Sequence, residues 1–141
     1  MAVGPAMAVT PPPGPVSGLV EFDSDLNATG HPGPVLTVAA DNTTINGNGF
    51  RIIAPDASVV IQSSGWHNIT IENLELVTAS PPATNAVYVA GGTNPTIEQV
   101  AVGPAGRAIY LHGCDGAVVT GCSSTGAGEG ILVHSSNNVT V

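Results

Sequence analysis

Arg107 and Glu129 stand 22 residues apart, as do His112 and His134, and Tyr88 and Tyr110. Just upstream of the two Tyr-containing stretches lie Asn85 and Arg107, so the polar and aromatic residues recur together. A phenol ring beside an imidazole and a guanidinium offers an apolar face and hydrogen-bonding edges at once. That combination suits a sugar ring, which presents CH faces and hydroxyls. Glu129 is the one carboxylate in this group and therefore the one catalytic candidate. It lies in Gly128-Glu129-Gly130, with no second carboxylate beside it. Glycoside hydrolysis needs two carboxyl groups flanking the scissile bond, one acid and one base or nucleophile. The set Tyr88, Arg107, Tyr110, His112 and His134 thus reads as a carbohydrate-binding surface, with no catalytic residue assigned. His112 and His134 lack a third ligand in register, so no metal site is expected.

Other chemistry-bearing patterns are missing. Gly47-Asn48-Gly49 is not followed by the helix that a phosphate loop requires. There is no G-x-S-x-G elbow and no H-E-x-x-H. Asp41, Asp56 and Asp115 are scattered, and the glycine-aspartate nonapeptide of calcium β-rolls does not occur. No cofactor is expected. Cys114 and Cys122 are eight apart with no C-x-x-C, which does not make a metal site. Cys122 reads as an inward thiol and Cys114 as a turn residue; a disulfide between them would need an oxidising compartment and suitable geometry.

The elements that must position these residues follow from the same offset. Ala86-Val87-Tyr88-Val89 recurs as Ala108-Ile109-Tyr110-Leu111 and as Gly130-Ile131-Leu132-Val133. A fixed period of this length marks a solenoid, each repeat one coil resting on the next. Asn42, Asn68, Asn94, Gly116 and Asn138, spaced 26, 26, 22 and 22, each precede a short alternating run such as Ile69-Thr70-Ile71. The two longer spacings place extra loop residues near Trp66 and Ser80-Pro81-Pro82. Within each coil apolar and polar residues alternate with period two, which is strand patterning. The expected fold is therefore all-β, a single-stranded right-handed parallel β-helix of about five coils, the handedness following the rule for parallel crossovers. Val59, Ile61, Val87, Val89, Ile109, Leu111, Ile131 and Val133 are expected to point inward. So are Ile45, Ile71, Ile97, Val119 and Val141, and a third stack of Leu74, Val100 and Cys122. Thr44, Thr70, Thr96 and Thr140 form an outward Thr ladder. The landmark Asn residues suit a left-handed turn, where their stacked amides can bond from coil to coil. Outward rows of Val60, Tyr88, Tyr110 and Leu132, and of Gln62, Ala90, His112 and His134, complete the candidate face.

The phrase G-I-x-V-x-x-S-x-N-V-T-V, from Gly130 to Val141, resembles the parallel β-helix repeat of the pectin-lyase-like superfamily. Val35 to Ile52, reading VLTVAADNTTINGNGFRI, is similar to the opening coil of such proteins. The resemblance spans roughly residues 35 to 141. It implies the β-helix fold and a spread of activities, from polysaccharide lyases and glycoside hydrolases to adhesins and phage spikes. In polygalacturonase-type members catalytic aspartates sit just before the strand where Glu129 lies, but as a pair with a third carboxylate. Lyase members use calcium-binding Asp clusters with an Arg or Lys base; neither the cluster nor any Lys is found here.

Three segments are expected. Residues 1-18, with Pro11-Pro12-Pro13, read as a Pro-rich flexible tail. Residues 19-34 read as an N-terminal cap segment, and residues 35-141 as the β-helix repeats. Val141 falls partway through a coil, which reads as a chain continuing beyond it. With only Arg51 and Arg107 as basic residues and a net charge of −8, the chain is unsuited to nucleic-acid backbones and anionic membrane surfaces. No apolar run of 18 residues would insert into a bilayer. The expected setting is extracellular or at the cell surface, with an export signal lying outside these residues, since the start lacks basic and apolar signal regions. Sequons occur at Asn27, Asn42, Asn68 and Asn138; the last three coincide with the turn ladder and read as structural. The function expected is a non-catalytic β-helix module, carbohydrate-binding or scaffolding. The alternatives are a fragment of a polysaccharide hydrolase or lyase, and a structural spike or adhesin.

Overall fold

The computed structural model describes residues 8–141. The chain winds through β1 (Gly14–Val16), β2 (Leu19–Glu21) and β3 (Leu26–Asn27), then β4 (Leu36–Val38), β5 (Thr44–Asn46) and β6 (Arg51–Ile53). It continues through β7 (Val59–Ser64), β8 (Thr70–Val77), β9 (Asn85–Ala90) and β10 (Thr96–Val102). The last elements are β11 (Arg107–His112), β12 (Val118–Thr120), β13 (Ser123–Ser124) and β14 (Glu129–His134). No helix occurs among the described residues. One sheet runs β1-β4-β7-β9-β11-β14; the other runs β2-β5-β8-β10-β12, with β6 paired to β8, β3 to β6 and β13 to β10. Pairing between strands of successive coils is parallel. The protein is a parallel β-solenoid of about five turns.

The core is a set of ladders between the sheets. Val20, Ile45, Ile71, Ile97 and Val119 are register partners across the second sheet, and the last four are buried. Leu74 pairs with Val100, and Cys122 packs partly buried against the core. Thr44, Thr70, Thr96, Val118 and Thr140 align on the opposite side of those strands, as the alternation requires.

The turns before these strands carry the Asn ladder. Asn42, Asn68, Asn94 and Asn138 have φ of 59°, 58°, 55° and 53°, the left-handed region that Asn tolerates best after Gly. Asn68 Nδ2 donates to Asn42 Oδ1 at 3.1 Å, and Asn94 Nδ2 donates to Asn68 Oδ1 at 3.4 Å. Gly116 interrupts the ladder, and Asn94 leans over the space its Cβ would fill. Asn138 Nδ2 bonds Asp115 Oδ1 instead, at 2.8 Å.

Three expectations need correction. First, Ile61 points inward as expected, but Val59 does not stack on Val87 nor Ile61 on Val89. Val59 pairs with Asn85, Ile61 with Val87 and Ser63 with Val89. Val60, expected outward, is fully buried, and Ser63 takes the inward place. The apolar identity of Val59 suggested the wrong register. The correct one places Ile61, Val87, Ile109 and Ile131 each seven residues before the landmarks Asn68, Asn94, Gly116 and Asn138.

Second, residues 14–16 belong to the solenoid and not to a flexible tail ending at 18. β1 pairs with β4, and Val16 is buried. Pro15 is accommodated because β1 is an edge strand, where a missing N–H costs no ladder bond. Upstream, the Thr10 amide and hydroxyl donate to Asp23 Oδ1 at 3.1 and 2.9 Å, tying this segment over the first coil. Residues 1–7 of the expected tail lie outside the described residues. Residues 19-34 add β2 and β3, which continue the register of β5 and β6 as a first coil.

Third, Ile131, Val133 and Val141 are 37%, 38% and 70% exposed. They hold inward positions, but no coil lies over them among the described residues. Cys114 is buried and Cys122 half-buried, and both are free thiols. The Cys114 thiol points at the carbonyls of Val89 and Gly91 at 3.4 and 3.6 Å.

Candidate functional site

The candidate face is the outer side of β7, β9, β11 and β14. Each strand there places two successive residues inward, Val60-Ile61, Ala86-Val87 and Ala108-Ile109 in the three complete coils. This double step separates one outward row from two more. The first row is Val59, Asn85, Arg107 and Glu129. The second is Gln62, Tyr88, Tyr110 and Leu132; the third is Ser64, Ala90, His112 and His134. Relative to the sequence expectation, Gln62 replaces Val60 beside Tyr88, so the aromatic row begins on an amide.

Rings form one continuous cluster. The Tyr88 and Tyr110 centroids are 5.2 Å apart at 37°. The Tyr110 and His112 rings are nearly parallel, at 8°, and stacked with centroids 5.8 Å apart. His112 and His134 are 5.0 Å apart at 37°. All five predicted binding residues, Tyr88, Arg107, Tyr110, His112 and His134, are therefore on one surface. The Arg107 guanidinium carbon sits 5.0 Å from the Tyr110 ring centroid, an interaction worth about 0.5–1 kcal/mol at an exposed site.

Arg107 Nε lies 3.6 Å from Glu129 Oε1 with both side chains substantially exposed. At that length it is a charge–charge contact, worth about 0–1 kcal/mol when solvated, and it leaves the Nε–H without a hydrogen bond. One rung away Asn85 Oδ1 is also buried and unpaired. A donor and an acceptor are thus left unpaired but covered at adjacent rungs, and Thr84, Gly106, Arg107 and Glu129 line a shallow cleft beside them.

Glu129 stands alone on this face, with Arg107 as its charged neighbour. Two carboxylates do stack elsewhere, on the outer side of the second sheet, where Glu72 pairs in register with Glu98. Burial, then Glu98, then Glu21 push the Glu72 carboxyl above its ordinary range. Sequence reasoning missed this pair; the signal was Ile71-Glu72 and Ile97-Glu98, 26 residues apart. No group of three or more His, Cys, Asp or Glu side chains that could hold a metal occurs among the described residues. Compared with known proteins, the chain matches no family model, no curated protein and no solved structure.

Proposed function

We propose that this chain is a non-catalytic β-helix module of a secreted or cell-surface protein that binds a glycan across β9, β11 and β14. The observation that supports it best is the file of Tyr88, Tyr110, His112 and His134 rings with the Arg107 guanidinium against Tyr110. Aromatic faces cover sugar CH surfaces while the exposed ends of polar side chains meet hydroxyls. The rungs advance by about 4.8 Å, so a linear glycan lying along the axis meets a repeated surface. The likeness of Gly130 to Val141 to the pectin-lyase-like repeat agrees with a polysaccharide ligand.

Calorimetric titration with neutral and uronic oligosaccharides tests this reading. Binding by at least one class is expected, weakened about tenfold in Tyr110→Ala, equivalent to about 1.4 kcal/mol. The variant Thr44→Ala, on the other sheet, should bind as the parent does. Absence of binding across the panel, or binding indifferent to Tyr110, would reject the face. The same mixtures should yield no new reducing ends and no unsaturated products. Turnover that disappears in Glu129→Gln would replace this reading with a polysaccharide-degrading enzyme.

A further inference from the structure

Four Asn-x-Ser/Thr sequons occur in this chain, at Asn27, Asn42, Asn68 and Asn138, and the fold treats them unequally. The reactive atom in N-glycosylation is the amide nitrogen, Nδ2. In Asn68 that nitrogen donates to Asn42 Oδ1 at 3.1 Å, and in Asn138 it donates to Asp115 Oδ1 at 2.8 Å. A sugar on either would remove a donor and force a bulky substituent between coils. Asn42 is the lowest rung of the ladder. Its amide oxygen holds Asn68, its backbone is left-handed, and its Thr44 lies within β5 on the Thr ladder.

Asn27 lies off the ladder. It lies in β3, which pairs only with β6 and forms an edge of the solenoid. Leu26 and Ala28 point into the core, so the Asn27 side chain faces out, and Asn27 and Thr29 are both exposed. The sequon hydroxyl is already turned onto the acceptor amide: Thr29 Oγ1 donates to Asn27 Oδ1 at 2.6 Å and Thr29 N at 3.1 Å. Its Nδ2 makes no hydrogen bond among the described residues. A donor placed on the amide oxygen draws charge from the nitrogen and makes its N–H more acidic.

We infer that Asn27 is an N-glycosylation acceptor in the folded protein and that the ladder asparagines are not. The inference rests on the secreted or cell-surface part of the proposed function, and not on glycan binding by the aromatic face. The co-substrate is a lipid-pyrophosphate-linked oligosaccharide. Asn27 Nδ2 attacks C1 of its reducing-end sugar, the C1–O bond breaks, and lipid pyrophosphate leaves with the electron pair. The proton lost from Nδ2 passes to a base of the transferase. The product is an N-glycosyl amide whose oxygen still accepts from Thr29. A glycan there would also shield the first coil's exposed edge from pairing with another chain.

The test uses purified folded full-length protein, a lipid-linked oligosaccharide donor and an oligosaccharyltransferase, read by intact mass and glycopeptide mapping. One glycan is expected, on Asn27. It should vanish in Asn27→Gln and Thr29→Ala and persist at reduced occupancy in Thr29→Ser, with melting temperatures unchanged within a few degrees. Transfer to Asn42, Asn68 or Asn138 of the folded protein would overturn the inference. So would failure to modify Asn27 when a free peptide spanning Asp25–Gly30 is glycosylated in the same reaction. Because the assay is run in vitro, its outcome is independent of both export and oligosaccharide binding at Tyr110.

Discussion

Single side chains in a solenoid answer to their neighbours one coil up and one coil down. Ser63 shows what this does. It occupies an inward rung opposite Val89, is 1% exposed, and its hydroxyl has no partner. A buried hydroxyl without a hydrogen bond costs about 1–3 kcal/mol. Ser63→Ala removes that cost and only one heavy atom of packing. We expect it to raise stability by about 1 kcal/mol, read as a higher urea midpoint with an unchanged slope. A lower midpoint would mean that the hydroxyl is bonded in solution. The same residue explains why the outward face was read one register out in that coil: a polar residue inside and Val59 outside invert the pattern that alternation relies on.

At the scale of the element, the Asn turn does two jobs, and substitution can separate them. Asn68 supplies a left-handed backbone with φ of 58° and two ladder bonds, one to Asn42 and one from Asn94. Ala cannot make either bond and strains at positive φ by about 1–2 kcal/mol. Gly loses the bonds but keeps the backbone, as Gly116 does naturally at φ 74°. With each exposed ladder bond contributing about 0.5–1 kcal/mol, Asn68→Ala should cost about 2–3 kcal/mol and Asn68→Gly about 1 kcal/mol less. Equal losses in thermal melts would show that the amide, and not the backbone angle, carries the turn. The turn residues were legible from their spacing because backbone sterics admit so few types at positive φ. Which amide bonds to which was not, since it depends on coil geometry; Asn138 reaches Asp115 only because Gly116 offers no side chain.

For the whole molecule, the acidic charge is distributed so that it opposes the fold on one side and fastens it on another. Burial and the adjacent Glu98 and Glu21 push the Glu72 carboxyl up. Folded Glu72 therefore holds its proton more tightly than unfolded Glu72, and this contribution to stability is present in acid and lost as pH rises through the folded value. Asp25 is held down by the Arg51 backbone N–H and side chain, and Asp23 by Thr10. Their contributions have the opposite sign, present at neutral pH and lost as pH falls through their folded values. Glu72→Gln should thus melt higher than the parent at about pH 7, with the gain shrinking below the ordinary Glu range. Asp25→Asn should melt lower at neutral pH and converge with the parent in strong acid. A Glu72→Gln gain that persists unchanged in strong acid would show that repulsion from Glu98 is not its source.

What the amino-acid order determined by itself was the period, the strand character and the residues that share a face. A parallel solenoid repeats every interaction at the same offset, so Tyr88 over Tyr110 and Arg107 beside Glu129 could be read from subtraction alone. Glycines, asparagines and alternating Val, Ile and Thr carry that information locally, through backbone sterics and pleat. The tertiary structure decided what depends on coils of unequal length. It set the register of β7, the inclusion of Gly14–Val16 in the sheet, and the stacking of Glu72 on Glu98. Each is a contact between residues 22 to 26 positions apart, where one inserted loop residue changes the partner and only the closed, packed coil selects among the alternatives.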